Sequence, residues 1–333
     1  MRIAVLPGDG IGPEVIRAAE AALRELVPEM ELVHGDVGLE CHSRRGEYLP
    51  EETIDLIKGT DAALFGAIST PLRTEGYRSP ILTMRKELDL YANLRPVKNL
   101  APGVGLVDLD VIIVRENTEG MYTGDESVDA DGVTLGRRVS RRACERICRF
   151  AREHGESSGR SRLTCVHKAN VLRRSDGLFR DVFYDTATGS HMSCGDMLVD
   201  AAAAEMVVRP EALDVIVTLN LYGDILSDEA AALAGGLGVA PSANIGDRHA
   251  LFEPVHGSAP DIAGRNVANP SAALLSAAMM LEHLDMEDEA DALRSALRGT
   301  VAAGGRTRDL GGNLGTEEFA SLVVEGLRRR RAL

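Results

Sequence analysis

Apolar residues in this chain fall into short blocks separated by glycine and proline. The run RIAVL at residues 2–6 is continuous enough for a buried strand, PGDGIGP interrupts it, and an amphipathic run from Glu14 to Leu26 follows. This reads as strand, glycine turn and helix, with Pro13 suited to the first helical position. The punctuation recurs. Pro50 opens a helix that ends at Gly59, DAALFG is a strand ending at Gly66, and Ser79 and Pro80 form the N-cap and first turn of a helix running to about Leu88. Strand alternating with helix up to residue 90 predicts a mostly parallel sheet of an α/β fold.

The middle of the chain is richer in strands: DVIIVREN, GVTLGRRVS, RLTCVHKAN and DVIVTLN, with a helix from Arg141 to His154 stopped by Gly155. A further helix starts near Gly223, and from there the chain is helical and rich in small residues, through AAALAGGLG and PSAALLSAAMMLEHL to a last helix near Thr316–Arg330. No internal repeat and no low-complexity linker is present, so a domain boundary has to lie in compact turns.

Composition narrows the function classes. With 333 residues, 44% of them hydrophobic, the chain can build a sizeable core and is long enough for two domains. Its longest apolar stretch, Ala272 to Leu281, is broken by Ser276 and falls short of the roughly 20 residues that span a bilayer. Met1 leads directly into a strand-like segment without the features of a secretory leader, which predicts a cytoplasmic protein. The net charge of −14 repels nucleic acids and acidic membranes, so neither is expected as a partner. Five cysteines without a CxxC pair read as buried thiols in a reducing compartment.

Several motifs can carry chemistry. GDGIGP is not G-x-G-x-x-G, so a Rossmann fingerprint fails; the turn either joins strand to helix or touches a cofactor. Arg85 sits on a helix, Arg95 just beyond its end, and Arg115 closes the strand DVIIV. The three could cradle a polycarboxylate through bidentate bonds, or each could make a surface ion pair. Asp224 and Asp228 are four residues apart on one helix face, where like charges repel; a hard divalent cation would relieve this, and so would the helix N-terminus. Asp200 lies in the apolar run MLVDAAAAEMVV and should be buried and in need of a partner. Lys168 ends an apolar strand, where partial burial would depress its pKa into a range useful for proton transfer. Tyr122 is a proton donor or a packing residue. Arg137, Arg138, Arg141 and Arg142 read as solvated faces, as do Lys86 and Glu87. Residues 252–270, FEPVHGSAPDIAGRNVANP, form a long loop of the kind that is usually functional.

Taken in order, GDGIGPE, a helix arginine followed by LRP, RENTEG, HKAN, GDILSD and EPVHGSAPDIAG resemble the β-decarboxylating dehydrogenases, the family of 3-isopropylmalate, isocitrate, homoisocitrate and tartrate/D-malate dehydrogenases. The combination is most similar to isopropylmalate enzymes of archaeal type. The resemblance implies two α/β domains flanking a cleft, not a Rossmann fold: a discontinuous one of residues 1–90 plus 236–333 on the cofactor side, and an inserted one of residues 91–235 that dimerises. It implies a homodimer or tetramer with shared active sites. Arg85, Arg95 and Arg115 would bind the carboxylates of a 2-hydroxy di- or tricarboxylate. Asp224 and Asp228 of one chain and Asp200 of the other would hold Mg²⁺ or Mn²⁺. Lys168 with Asp200 would take the hydroxyl proton, and Tyr122 would protonate the enol. NAD would lie on His256, Gly257, Ser258, Ala259, Asn269 and Asn170, with Asp261 on the adenosine ribose, where an acid repels the 2′-phosphate of NADP. Ile81 and Leu82, one turn before Arg85, stand where tricarboxylate enzymes carry polar or cationic residues and suit an aliphatic substituent. The implied activity is NAD-dependent oxidative decarboxylation of 3-isopropylmalate in leucine biosynthesis, with homoisocitrate, isocitrate or D-malate as alternatives. A non-catalytic regulatory subunit is disfavoured because Tyr122, Lys168 and the three aspartates are all present.

Overall fold

The structure is a computed structural model that describes residues 1–71 and 77–331. Its strands are β1 Arg2–Gly8, β2 Glu31–His34, β3 Ala62–Ala67, β4 Ala92–Lys98, β5 Asp110–Glu116, β6 Glu126–Val128, β7 Val133–Leu135, β8 Arg162–His167, β9 Ser193–Leu198, β10 Val215–Thr218, β11 Pro241–Ile245 and β12 Ala250–Pro254. The helices are α1 Gly12–Leu26, α2 Leu39–Arg45, α3 Glu51–Lys58, α4 Pro80–Glu87, α5 Arg141–Ser157, α6 Ser175–Ala187, α7 Val199–Val208, α8 Asn220–Ala234, α9 Ser271–His283, α10 Glu287–Ala302 and α11 Thr316–Arg331.

Among the described residues, ten strands form one sheet in the order β2-β1-β3-β12-β11-β4-β5-β10-β8-β9. Both ends are parallel, as the strand–helix alternation predicts, but β11 and β4 run antiparallel to each other and to their outer neighbours β12 and β5. This order and the mixed directions separate the fold from the all-parallel Rossmann arrangement.

Alternation along the central strands decides where chemistry can sit. One face of the sheet carries a continuous apolar layer under α1, α5, α6, α9 and α10, including Leu94, Ile112, Val114 and Phe252. On the other face the apolar layer is split: Leu6, Phe65 and Leu251 pack with Met84 of α4 and Ile54 and Ile57 of α3, whereas Val97, Ile113 and Ile216 pack with Leu226 of α8 and Ala202 and Met206 of α7. Between these two cores the side chains of that face are polar, so the middle of the sheet is left as a polar floor.

Several element boundaries differ from expectation. The helix of Arg141 continues through Gly155 to Ser157, because a Cβ at Gly155 would press on Met192 and the glycine instead lets α5 pack there. The loop expected over 252–270 gives its first three residues to β12, which is buried between β3 and β11. GVTLGRRVS contributes only β7, which pairs with β6 in an exposed hairpin. The aspartate helix starts at Asn220, not Gly223. Ser79 holds the N-cap position of α4 without a side-chain capping bond. Four of the cysteines are buried as expected and Cys194 is half-buried.

Candidate active site

The polar floor is set by strand register. In β4, Asn93 pairs with Asn244 of β11 on one side and with Arg115 of β5 on the other, which lines three polar side chains across the sheet. Arg95, two residues on, points to the same face. Glu253 of β12 and Arg85 of α4 complete the layer. Arg85 donates from Nε to Asn244 Oδ1 at 3.1 Å and from Nη2 to Glu253 Oε1 at 3.3 Å. Asn244 Oδ1 also accepts from Asn93 at 3.1 Å and from Asn117 at 2.9 Å, so one amide oxygen organises three strands and a helix. All three predicted arginines are buried here; none makes the surface ion pair that was their alternative reading.

Helix α8 answers this floor with one polar stripe. Asn220, Gly223, Asp224, Ser227 and Asp228 share a face by their three- and four-residue spacing. Arg115 donates to Asn220 Oδ1 from Nε at 3.0 Å and from Nη2 at 2.8 Å, and pairs with Asp224 through Nη1. Arg95 donates to Asn93 Oδ1 and to Ser227 Oγ, both at 2.6 Å, and its Nη1 lies 3.5 Å from Asp224 Oδ1 and from Asp228 Oδ1. Tyr122, in the 3₁₀ turn Met121–Thr123, donates to Asp224 Oδ2 at 2.5 Å and lies under the Arg115 guanidinium. Gly223 is required by this approach, since a Cβ there would sit 2.6 Å from Arg115 Cβ. Gly223→Ala is therefore expected to displace Arg115 and to cost about 1–3 kcal/mol of stability. A thermal melt and a kcat/KM lowered roughly tenfold or more would register the shift.

Electrostatics differentiate the acids. Burial alone would raise the Asp224 pKa, but Arg115, the Tyr122 hydroxyl and Arg95 together hold it low. Asp228 is held above the usual carboxylate range by burial, with the Asp224 charge one turn away adding to it against the pull of Arg95. Burial pushes Arg115 down to about 9, still a cation at neutral pH. Tyr122 is raised by burial and by its bond to Asp224, which keeps the phenol protonated.

Lys168 and Asp200 form a pair of their own. Lys168 lies just past the end of β8 and donates to Asp200 in the first turn of α7. Asp200 is not buried: its side chain is 64% exposed, and the Lys168 bond and its own backbone N–H hold its pKa low. The apolar residues around it do not enclose it because α7 turns Ala201, Ala204 and Val208 outward. The apolar pocket that would surround the Lys168 ammonium is likewise replaced by an anion. Among the described residues no cluster of three His, Cys, Asp or Glu that could hold a metal exists within one chain, so Asp200 does not join Asp224 and Asp228 here.

A cavity of about 820 Å³ opens onto this floor, lined among others by Leu82, Arg85 and Tyr122. Leu82 is 36% exposed and Ile81 half-buried. Arg78 and Lys86 line the same cavity, so the α4 surface read as simply solvated borders the cleft.

The segment after β12 docks on the first glycine turn. Ile11 N–H donates to Ser258 O at 2.9 Å, the Ser69 and Ser258 hydroxyls are 2.6 Å apart, and a Cβ on Gly10 would lie 2.0 Å from Ser258 O. Gly10, at φ +62°, allows that approach. The Asp9 carboxylate accepts from Ser69 N–H at 2.9 Å and Glu40 N–H at 3.1 Å, tying these loops together. His256 Nδ1 faces Gly257 O at 2.9 Å, while its Nε2 is buried without a partner among the described residues and burial lowers the ring's pKa. Ala259 holds φ +38°, Gly257 and Asp261 are exposed, and Asn269 donates to Asp309 at 2.9 Å. Asn170 is exposed beside Lys168, away from this segment in the sequence.

The profile of the isocitrate/isopropylmalate dehydrogenases matches residues 2–323. The chain belongs to this family. It is 50% identical over 330 residues to a 3-isopropylmalate dehydrogenase of Methanothermobacter thermautotrophicus, covering 98% of each chain. It is 46% identical over 343 residues to a homoisocitrate dehydrogenase of Methanocaldococcus jannaschii, covering 99% of each. The isocitrate dehydrogenase structure from Methylococcus capsulatus superposes with a TM-score of 0.95 at 39% identity, over 98% of this chain and 99% of that one. As a member of the isocitrate/isopropylmalate dehydrogenases the protein is a β-decarboxylating dehydrogenase. The family acts on small hydroxy acids, generally uses NAD and a divalent metal, and is generally dimeric. Among the described residues no helix is long and apolar enough to cross a membrane.

Asn93, Asn117, Asn220, Ser227, Asn244 and Glu253 were not singled out from the sequence. The signal was present for one of them: Asn93 is two residues from Arg95 on the same strand, hence on its face, whereas Asn117 lies just past the end of β5. Asn244 and Glu253 could be found only from the sheet order.

Proposed function

We propose that this dehydrogenase oxidatively decarboxylates 3-isopropylmalate with NAD, in leucine biosynthesis. The observation that carries the choice of substrate is Leu82 lining the cleft one turn before Arg85; Ile81, its neighbour, packs instead against the apolar core with Met84 and Leu88. The Leu82 side chain offers a carboxylate no hydrogen bond and an alkyl group an apolar contact. Arg85, Arg95 and Arg115 bind the malate carboxylates. Their amide and hydroxyl partners, Asn93, Asn220, Asn244 and Ser227, keep the guanidinium groups aimed.

The donor set fits a hard divalent cation, Mg²⁺ or Mn²⁺. Asp224 and Asp228 present oxygen ligands on one helix face; burial, with the Asp224 charge adding to it, raises Asp228, and a cation would relieve both. The orphan His256 Nε2 and the close docking of Ser258 on the glycine turn fit a bound dinucleotide, with Gly257, Ala259, Asp261, Asn269 and Asn170 around it. NAD supplies the hydride acceptor and the cation a Lewis acid toward substrate oxygens. Lys168 takes the hydroxyl proton as it passes one of its own through the hydrogen bond to Asp200, whose carboxylate is open to water. Tyr122, kept protonated, delivers a proton to the enol carbon.

The site is completed by a second subunit. Lys168 and Asp200 serve the partner's cleft, and Asp200 joins the partner's Asp224 and Asp228 around the cation. Supporting this, Val208 on α7 is 73% exposed and Ile225 on α8 59%, an apolar surface that a second copy would cover. We further read residues 1–90 with 236–333, and residues 91–235, as two α/β domains, since among the described residues their strands meet only at the β11–β4 pair.

A second reading, a homoisocitrate or isocitrate dehydrogenase, is favoured by Arg78 and Lys86 at the cleft, cations able to meet a further carboxylate. Steady-state rates on 3-isopropylmalate, homoisocitrate, isocitrate and D-malate decide between them, the first expected to lead. A tenfold advantage for a tricarboxylate would overturn the assignment. Leu82→Arg is expected to raise kcat/KM for tricarboxylates relative to 3-isopropylmalate about tenfold, because the cation pairs a carboxylate inside the cleft.

A further inference from the structure

Asp176 is a carboxylate at 0% exposure that the proposed chemistry leaves without a role. It is the second residue of α6, and each of its oxygens is used twice. Oδ2 accepts the backbone N–H of Lys168 at 2.7 Å and the Tyr222 hydroxyl at 3.1 Å. Oδ1 accepts from Arg137 at 2.5 Å and from the Ser175 hydroxyl at 3.3 Å. Arg137, expected on a solvated face, is instead largely buried and stacks 5.3 Å over the Tyr222 ring. The Lys168 carbonyl is held as well, accepting from Leu172 N–H at 2.9 Å and Val171 N–H at 3.0 Å. Asp176 thus joins three segments: the strand end that carries Lys168, helix α8 two residues before Asp224, and the chain leaving the β6–β7 hairpin.

A buried ion pair alone would need only Arg137 and Asp176. Such pairs are weak contributors to stability when compared with apolar replacements. The second oxygen, spent on the Lys168 amide and on Tyr222, does something an ion pair does not require: it sets the height of Lys168 against α8. We propose that Asp176 is a positioning residue that fixes Lys168 for proton transfer and locks it to the aspartate helix. This rests on the shared-site reading above. There Lys168 acts in the partner's cleft while Asp224 acts in its own, so Asp176 makes one rigid unit of a subunit's contributions to both active sites.

The test is a graded series on the full-length protein with substrate, NAD and Mg²⁺ or Mn²⁺ supplied. Asp176→Asn is expected to lower kcat at least tenfold, with KM for the hydroxy acid and for NAD within twofold. Tyr222→Phe removes one bond and leaves the ion pair intact; it is expected to lower kcat roughly threefold at constant KM. A merely structural role predicts lowered melting temperatures in the same order, with kcat unchanged well below the melt. That outcome overturns the inference. If Asp176→Asn does not fold, Tyr222→Phe decides alone, an unchanged kcat counting against. Lys168→Met, run in parallel, separates the two readings. If it retains more than a tenth of the parent rate, the proton-transfer role proposed for Lys168 fails; if it is inactive while both other variants turn over normally, only the role of Asp176 fails.

Discussion

Replacing Lys168 by methionine is expected to lower kcat by about a thousandfold while leaving the melting temperature nearly unchanged, because a positioned proton-transfer group is worth roughly 10²–10⁴ in rate. The two readouts separate for a physical reason. Lys168 is only about three-quarters buried and its partner Asp200 is 64% exposed, so water solvates the carboxylate once the ammonium is gone. Pairs of that kind contribute little to stability. Substrate KM should move far less than kcat, since the arginines that hold the carboxylates are untouched. NAD reduction measured under saturating substrate and cation checks the first expectation and a thermal melt the second. A variant with more than a tenth of the parent rate would remove Lys168 from the chemistry.

Arg115→Met is expected to damage both binding and folding. Arg115 is 1% exposed, and its guanidinium satisfies Asn220 twice as well as Asp224. Removing it leaves the Asn220 amide oxygen buried without those donors and Asp224 with Arg95 and Tyr122 only. Breaking a buried pair costs about 3–5 kcal/mol, discounted toward the lower figure here because Asp224 is itself partly exposed. At the site, loss of one carboxylate-binding guanidinium should raise KM for the hydroxy acid by about a hundredfold or more. Arg115→Lys should recover charge but not the three-bond geometry, so its KM is expected to stay well above that of the parent. Denaturant unfolding and initial-rate kinetics on the same preparations test the pair of effects; a stable Arg115→Met variant of normal KM would show that the carboxylates bind elsewhere.

Much of this site was readable residue by residue. Arg115 closes an apolar strand and Asp224 and Asp228 repeat at helical spacing, so local pattern alone marked them as groups needing partners. Lys168 was marked by its place at the end of an apolar strand. The reading failed where a side chain's surroundings come from distant segments. Asp200 was expected to be buried because its sequence neighbours are apolar, yet α7 turns several of them outward. Arg137 was expected in solvent because it stands in a charged stretch, yet Asp176, 39 residues away, draws it inward.

Periodicity and punctuation determined the alternating elements, the α/β class and most of the ionisable groups that matter, because those depend on residues a few positions apart. The order of the strands, the gap between the two apolar cores on one face, and the convergence of Asn93, Asn244 and Arg115 across that gap belong to tertiary structure. They arise from pairing between segments as far apart as Ala63 and Leu251, which no local pattern encodes. A cleft exists here because the same alternation that buries Leu94 and Val114 on one side of the sheet delivers Asn93, Arg95 and Arg115 to the other, where no helix covers them with an apolar layer.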